Sequence, residues 1–147
     1  MRYNRLYKDN NFLTPTTYTQ TLSEYTETLR YEDIPADVVE RAKMIMLQTV
    51  GAALAAKGTP IAEKACRMSE EANGGEGGAT SVWGTGKKMA AVNAALALGT
   101  MSDALDWEDC SWTGHPAAGV IPCAWLAAEE KHKSGKDLIT AIVAGYE

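Results

Sequence analysis

Between Asp103 and Gly119 the sequence reads DALDWEDCSWTGHPAAG. Four carboxylates, two tryptophans, a cysteine and a histidine stand in this run, and alanine-rich stretches flank it on both sides. Histidine takes and gives protons near neutral pH, and a carboxylate does so when its surroundings shift its titration. The alanine-rich flanks place Asp106, Glu108 and Asp109 at the end of one helix and His115 at the start of the next. A helix N-terminus offers free N–H groups and a partial positive charge, which suits a carboxylate ligand. His115 beside a carboxylate is then a proton shuttle. The competing reading is that Asp109 and His115 only cap helices, and spacing alone leaves both open.

Other chemistry is weaker. Asp, Glu, Cys and His fall close together between Asp106 and His115, but the spacing matches no standard metal site and mixes hard with soft ligands. Neither a metal nor a cofactor is expected. The stretch WGTGKK (Trp83 to Lys88) lacks the full glycine pattern of a phosphate loop and reads as a turn with two solvated lysines. Trp107, Trp112 and Trp125 are expected to pack, with Trp112 able to line a pocket. No Lys or Arg occurs from Met89 to Glu130. A polycarboxylate bound here would need cations from elsewhere, because burying its charge unpaired is costly.

The elements that must position these groups read as helices. Tyr18, Leu22, Tyr25 and Leu29 recur at helical spacing after Pro15, with Thr16 or Thr17 as N-cap. Glu32 to Gly58 reads as one long helix with Pro35 in its first turn, Gly58 as its stop, and a stripe of Val38, Val39, Ala42, Met46, Val50, Ala53 and Leu54. Pro60 opens another. Asn73 to Gly78 reads as a flexible turn, TSVWG as a short strand, and Lys87 to Leu105 as a helix buried among neighbours. A further helix runs from about Pro116 through Lys133, with Pro122 near its first turns. Ser134 caps the last, with Asp137 as capping-box partner. That last helix ends without a C-cap and carries Leu138, Ile139, Ile142 and Val143, so a larger fold is expected around it.

The 147 residues suffice for one domain with a core, and the alanine-rich composition with a single Phe favours close-packed helices over sheets. The formal net charge of -5 and the lack of a basic stripe argue against nucleic acid. No apolar run has the content of a membrane span. The N-terminus has no apolar signal core, and Cys66, Cys110 and Cys123 read as reduced thiols in a cytoplasmic protein.

Four stretches, LRYEDIPADVVERAKMIMLQTVGAALAA, SVWGTGKKMAAVNAALALGTMSDALDWED, GHPAAGVIPCAWLAAEE and SGKDLITAIVAGYE, occur in this order. Together they resemble the N-terminal part of the MmgE/PrpD family, which includes 2-methylcitrate dehydratase, cis-aconitate decarboxylase and iminodisuccinate epimerase. The resemblance implies an all-α fold: a helical-bundle portion of the family's helical domain, with residues 1–15 as an arm, residues 16–147 as the partial domain, and the α+β lid domain absent. It implies a metal-independent lyase of a di- or tricarboxylate, 2-methylcitrate dehydratase-like and of propionate metabolism, that is inactive without a complementing C-terminal chain. A homo-oligomer is the other partner expected. The alternatives are a non-catalytic helical partner subunit, or a decarboxylase or epimerase of the same family. The family's site aspartate falls on Asp106 and its H-P histidine on His115. His115 takes the acid–base role, and Asp106 orients it or holds a ligand hydroxyl. Cys110, Trp112 and Thr113 are expected at the substrate. Cys110 stands where a threonine is common, Asp103 where a histidine is frequent, and Ala117 where a serine is frequent. Glu108 receives no chemical role.

Overall fold

The computed structural model describes residues 17–75, 77–111 and 114–147, so the expected arm lies outside the described residues. Six α-helices follow in order: α1 (Tyr18–Thr28), α2 (Ala36–Ala56), α3 (Pro60–Ala72), α4 (Ala91–Asp103), α5 (Pro116–Glu130) and α6 (Gly135–Tyr146). A single 3-10 turn, Tyr31–Asp33, precedes α2, and two short strands, β1 (Thr80–Ser81) and β2 (Lys88–Met89), pair antiparallel with Thr80 opposite Met89. The mostly helical domain read from the sequence is present. Among the described residues no helix is long and apolar enough to cross a membrane.

Side-chain caps set several boundaries. Thr17 accepts from Gln20 N, and the Gln20 side chain returns to the Thr17 N–H. Ser134 and Asp137 close a full capping box of the same kind, so two orphan donors are satisfied at each start. Thr59 caps α3 ahead of Pro60. Gly58 follows the end of α2 with φ +90°, the left-handed conformation that ends many helices.

Small residues let the helices approach. α4 packs on α2, α3 and α5 and buries Ala94, Ala97, Leu98, Met101 and Ser102. Pro122 has no N–H to give the Ala118 carbonyl, and a Cβ on Gly99 of α4 would lie 3.2 Å from that same oxygen. Gly145 brings α6 against Val120 of α5. Glu129 of α5 reaches the hairpin, accepting from Ser81 N at 3.0 Å and Ser81 Oγ at 2.6 Å.

Several expectations change. The buried face of α2 is Val39, Ala42, Ile45, Thr49, Ala52, Ala53 and Ala56, whereas Val38 and Leu54 are exposed. The helix is apolar on nearly every side, so close approach through small residues selects the face. α1 buries no residue, and Leu22 of its stripe is exposed. Helix α4 begins at Ala91 because residues 88–89 are strand. The Asn73 carbonyl Oδ1 accepts from Ala90 N and Asn93 Nδ2, while its Nδ2 donates to Gly75 O and Gly77 O. The glycine-rich segment is therefore wrapped around Asn73 rather than free of it. Helix α5 ends at Glu130, before Lys133. Lys87 is not a solvated lysine of the turn, because it pairs with Glu70. Trp83 and Trp125 pack edge to face with centroids 5.4 Å apart, but Trp107 is 63% exposed and does not pack.

Gly78 sits against the hairpin at φ +153°, where an added Cβ would lie 2.0 Å from the Met89 carbonyl carbon. Gly77 is also left-handed in φ (+133°) but has open space around it. Gly77→Ala is expected to cost about 1–3 kcal/mol of backbone strain. Gly78→Ala is expected to cost more, because backbone must move. Chemical denaturation of both variants checks this order, and equal losses would contradict it.

Candidate active site

Helix α4 ends at Asp103, so Asp106, Glu108 and Asp109 lie in the connection to α5 and not at the helix end as expected. Asp106 adopts φ +55°, a left-handed conformation that aspartate tolerates better than most residues. The Asp106 N–H donates to Asp103 O at 3.1 Å, which turns the chain back at once. Gln48 of α2 donates to Trp107 O at 2.6 Å, tying the connection to a neighbouring helix. Ser111 and Gly114 exchange backbone hydrogen bonds of 3.0 Å, which closes the loop just before His115.

His115 is the N-cap of α5 but makes no side-chain cap bond there. Asp109 does the capping instead: its Oδ1 accepts from Ala117 N at 2.9 Å. Asp109 Oδ2 accepts from the Tyr146 hydroxyl of α6 at 2.8 Å. The Asp109 backbone carbonyl lies 3.0 Å from His115 Nδ1. A carbonyl only accepts, so Nδ1 carries the proton and donates. Burial and the Asp109 carboxylate push the Tyr146 hydroxyl far above the usual phenol range, and it remains a donor.

His115 therefore presents its two ring nitrogens to two different carboxylates. Nε2 lies 3.4 Å from Asp106 Oδ1, whose side chain is 84% exposed. Nδ1 lies 3.2 Å from Glu108 Oε1, whose side chain is wholly buried. Neither Glu108 oxygen makes a hydrogen bond with a described residue. Burial, aided by nearby Asp103 and opposed by His115, raises the Glu108 carboxyl above its ordinary range.

The two residues that the sequence reading put together, Asp106 and His115, lie 3.4 Å apart. It gave Glu108 no role, and the structure places Glu108 as the buried carboxyl against the imidazole. No pattern in DWED separates its exposed first carboxylate from its buried second. Cys110 is exposed with a free thiol and does not line the two grooves that meet at His115. Trp112 and Thr113 lie outside the described residues. Asp106, Glu108 and His115 each bring a ligand atom within 4.8 Å of the others. Yet the two carboxylates address opposite ring nitrogens, an arrangement that polarises an imidazole better than it coordinates one ion.

Two open grooves meet at His115. One, about 510 Å³, runs between α4 and α5 past Leu96, Gly99, Asp103, Gly119 and Cys123. The other, about 520 Å³, runs between α5 and α6 past Pro116, Gly119, Val120, Ala141 and Gly145. His115 is partly exposed between them.

Residues 20–147 match the MmgE/PrpD N-terminal domain, and the chain belongs to that family. It is 29% identical over 138 residues to the cis-aconitate decarboxylase-like protein oryM of Aspergillus oryzae, covering 88% of this chain and 28% of that protein. It is 31% identical over 138 residues to the cis-aconitate decarboxylase of Aspergillus terreus, covering 88% and 27% respectively. The chain thus spans little more than a quarter of the length of these relatives.

Two outcomes follow from the geometry. Tyr146→Phe leaves one Asp109 oxygen without its donor and is expected to cost about 1–2 kcal/mol, read by denaturant unfolding. For Glu108, a raised folded-state pKa means that the folded chain keeps a proton the unfolded chain has released. The gain from that proton is full below the unfolded value of about 4.3 and fades as pH rises through the raised value. The melting-temperature difference between wild type and Glu108→Gln should therefore shift toward wild type as pH falls from neutral toward the unfolded value of about 4.3. A difference that stays flat would show that Glu108 titrates as an ordinary exposed glutamate.

Proposed function

We propose that the chain forms one wall of the active site of a lyase acting on a di- or tricarboxylate, with His115 as its acid–base group. The observation that carries this reading is the His115 imidazole held between two carboxylates at the junction of two grooves. Kinship with proteins named cis-aconitate decarboxylase supports the reaction class. Proton movement beside a carboxylate needs a base, an acid, and cations for the developing negative charge. This chain supplies the first two. The Asp109 carbonyl favours the proton on His115 Nδ1, which leaves Nε2 with a lone pair on the side of the exposed Asp106 carboxylate. Asp106 beside Nε2 stabilises the imidazolium that forms when Nε2 takes a proton.

The cations are absent from residues 89–130, which contain no Lys or Arg. They come from a complementing portion like the remaining three quarters of the relatives' length, or from a second copy. The enzyme works without a metal, in the cytoplasm, where its free thiols stay reduced. The 2-methylcitrate dehydratase-like reaction is the preferred chemistry. Decarboxylation is the second, favoured by the names of the two relatives.

The test is an assay of the chain alone and joined to a family C-terminal portion, against 2-methylcitrate and cis-aconitate. The chain alone is expected to be silent, and turnover alone at roughly 1 per second or more would overturn the reading. In the completed enzyme, His115→Gln is expected to lower kcat by about two to four orders of magnitude. Asp106→Asn should also impair turnover, since a neutral amide stabilises an imidazolium poorly. Melting temperatures of both variants should stay near wild type, and near-normal turnover in His115→Gln would reduce the pair to a polar connection.

A further inference from the structure

We infer that Glu108 is the positioning residue of the site, a buried carboxylate that fixes which nitrogen of His115 carries the proton. The inference rests on the proposed acid–base role of His115 for its functional meaning, but its structural content stands on geometry alone. Glu108 has 7% of its surface exposed and none of its side chain, in a loop where the neighbouring Asp106 is open to solvent. Both of its oxygens are buried without a hydrogen-bond partner among the described residues. A carboxyl so placed costs stability unless it has an electrostatic task. The group it faces is His115 Nδ1, at 3.2 Å.

The surrounding groups define that task. Nδ1 already donates to the Asp109 carbonyl at 3.0 Å. When ionised, Glu108 adds a buried negative charge 3.2 Å from the same nitrogen, a charge contact rather than a second hydrogen bond. Among the described residues, the other charged group within 4 Å of the ring is Asp106, which faces Nε2 at 3.4 Å. Asp109 has its carboxylate committed to Ala117 N and the Tyr146 hydroxyl, and Asp103 acts on Glu108. The two ring faces are therefore in opposition. Glu108 favours Nδ1–H and a basic Nε2, whereas Asp106, as an acceptor, favours Nε2–H. Being buried, Glu108 is the less screened of the two and sets the tautomer. An acid–base imidazole held this way by a carboxylate behind it is oriented as well as tuned.

The experiment is nitrogen NMR of the full 147-residue chain labelled with 15N-histidine, recording long-range proton–nitrogen correlations above the ring's titration. Exposed His132 serves as the internal reference. Wild type is expected to show His115 as the Nδ1–H form. In Glu108→Gln, which keeps the size but removes the charge, the ratio of Nδ1–H to Nε2–H should fall about tenfold, the loss of one nearby buried charge. Glu108→Asp restores a carboxylate and should recover part of the ratio. Asp106→Asn should move the ratio the other way, toward Nδ1–H. An unchanged ratio in Glu108→Gln, or the same direction of change in Asp106→Asn, would overturn the inference. The measurement needs no turnover, so failure of the lyase assay and failure of this inference are separate results.

Discussion

Asp109 is the interaction on which the site depends. One residue ends three separate needs: its Oδ1 caps the N-terminus of α5, its Oδ2 holds Tyr146 at the end of α6, and its carbonyl fixes His115 Nδ1. Helices α5 and α6 are thereby tied to the loop that follows α4, and the histidine is oriented by backbone rather than by a mobile side chain. A carbonyl acceptor cannot be protonated, so it favours a proton on Nδ1 at every pH, and the neighbouring carboxylates add their own bias to that choice. The arrangement also explains why His115, nominally the cap of α5, leaves its side chain free for chemistry. The capping duty has moved six residues upstream.

Small residues make that geometry reachable. Gly99 lies against the Ala118 carbonyl that Pro122 leaves without a helical donor, and Gly145 lies against Val120. Larger side chains at these positions would part α4 from α5 and α5 from α6 and open the distances around His115. The same economy leaves larger apolar residues outside. Met44, Leu47 and Leu54 on α2, and Val92 and Leu96 on α4, are exposed. The core joins alanine faces to larger side chains such as Leu98, Met101, Ile121, Leu126 and Ile142, and the remaining bulky residues stand on the faces those contacts do not use.

Much of the scaffold was legible in the sequence, because its signals are local. Thr17, Thr59 with Pro60, Gly58 and Ser134 with Asp137 mark helix ends through hydrogen bonds made within a few residues. The family kinship was legible in motifs scattered along the chain and matches residues 20–147. What escaped is non-local. The buried face of α2 could not be chosen by periodicity, since apolar residues surround the helix. The start of α4 depended on Asn73, whose carbonyl reaches Ala90 across 17 residues. The pairing of Asp106 with His115 was legible from residue type. Glu108 was not, because its burial is set by a tight turn at Asp106 that no propensity announces.

The charge distribution divides the labour of the proposed enzyme. Around one imidazole stand Asp103, Asp106, Glu108 and Asp109, with no Lys or Arg between residues 89 and 130. Such a field repels a polycarboxylate, yet it is well suited to stabilising an imidazolium at the moment a proton is taken. Arg41 of α2 offsets part of it at Tyr146, where its charge opposes the rise of the phenol. Anion binding and proton handling make opposite demands on local potential, and a site that needs both must draw them from different surfaces. In the proposed enzyme, the wall formed by this chain serves the proton. On that proposal the facing wall would serve the anion, and the more negative the first wall is, the more cationic the second would have to be before a carboxylate settled between them.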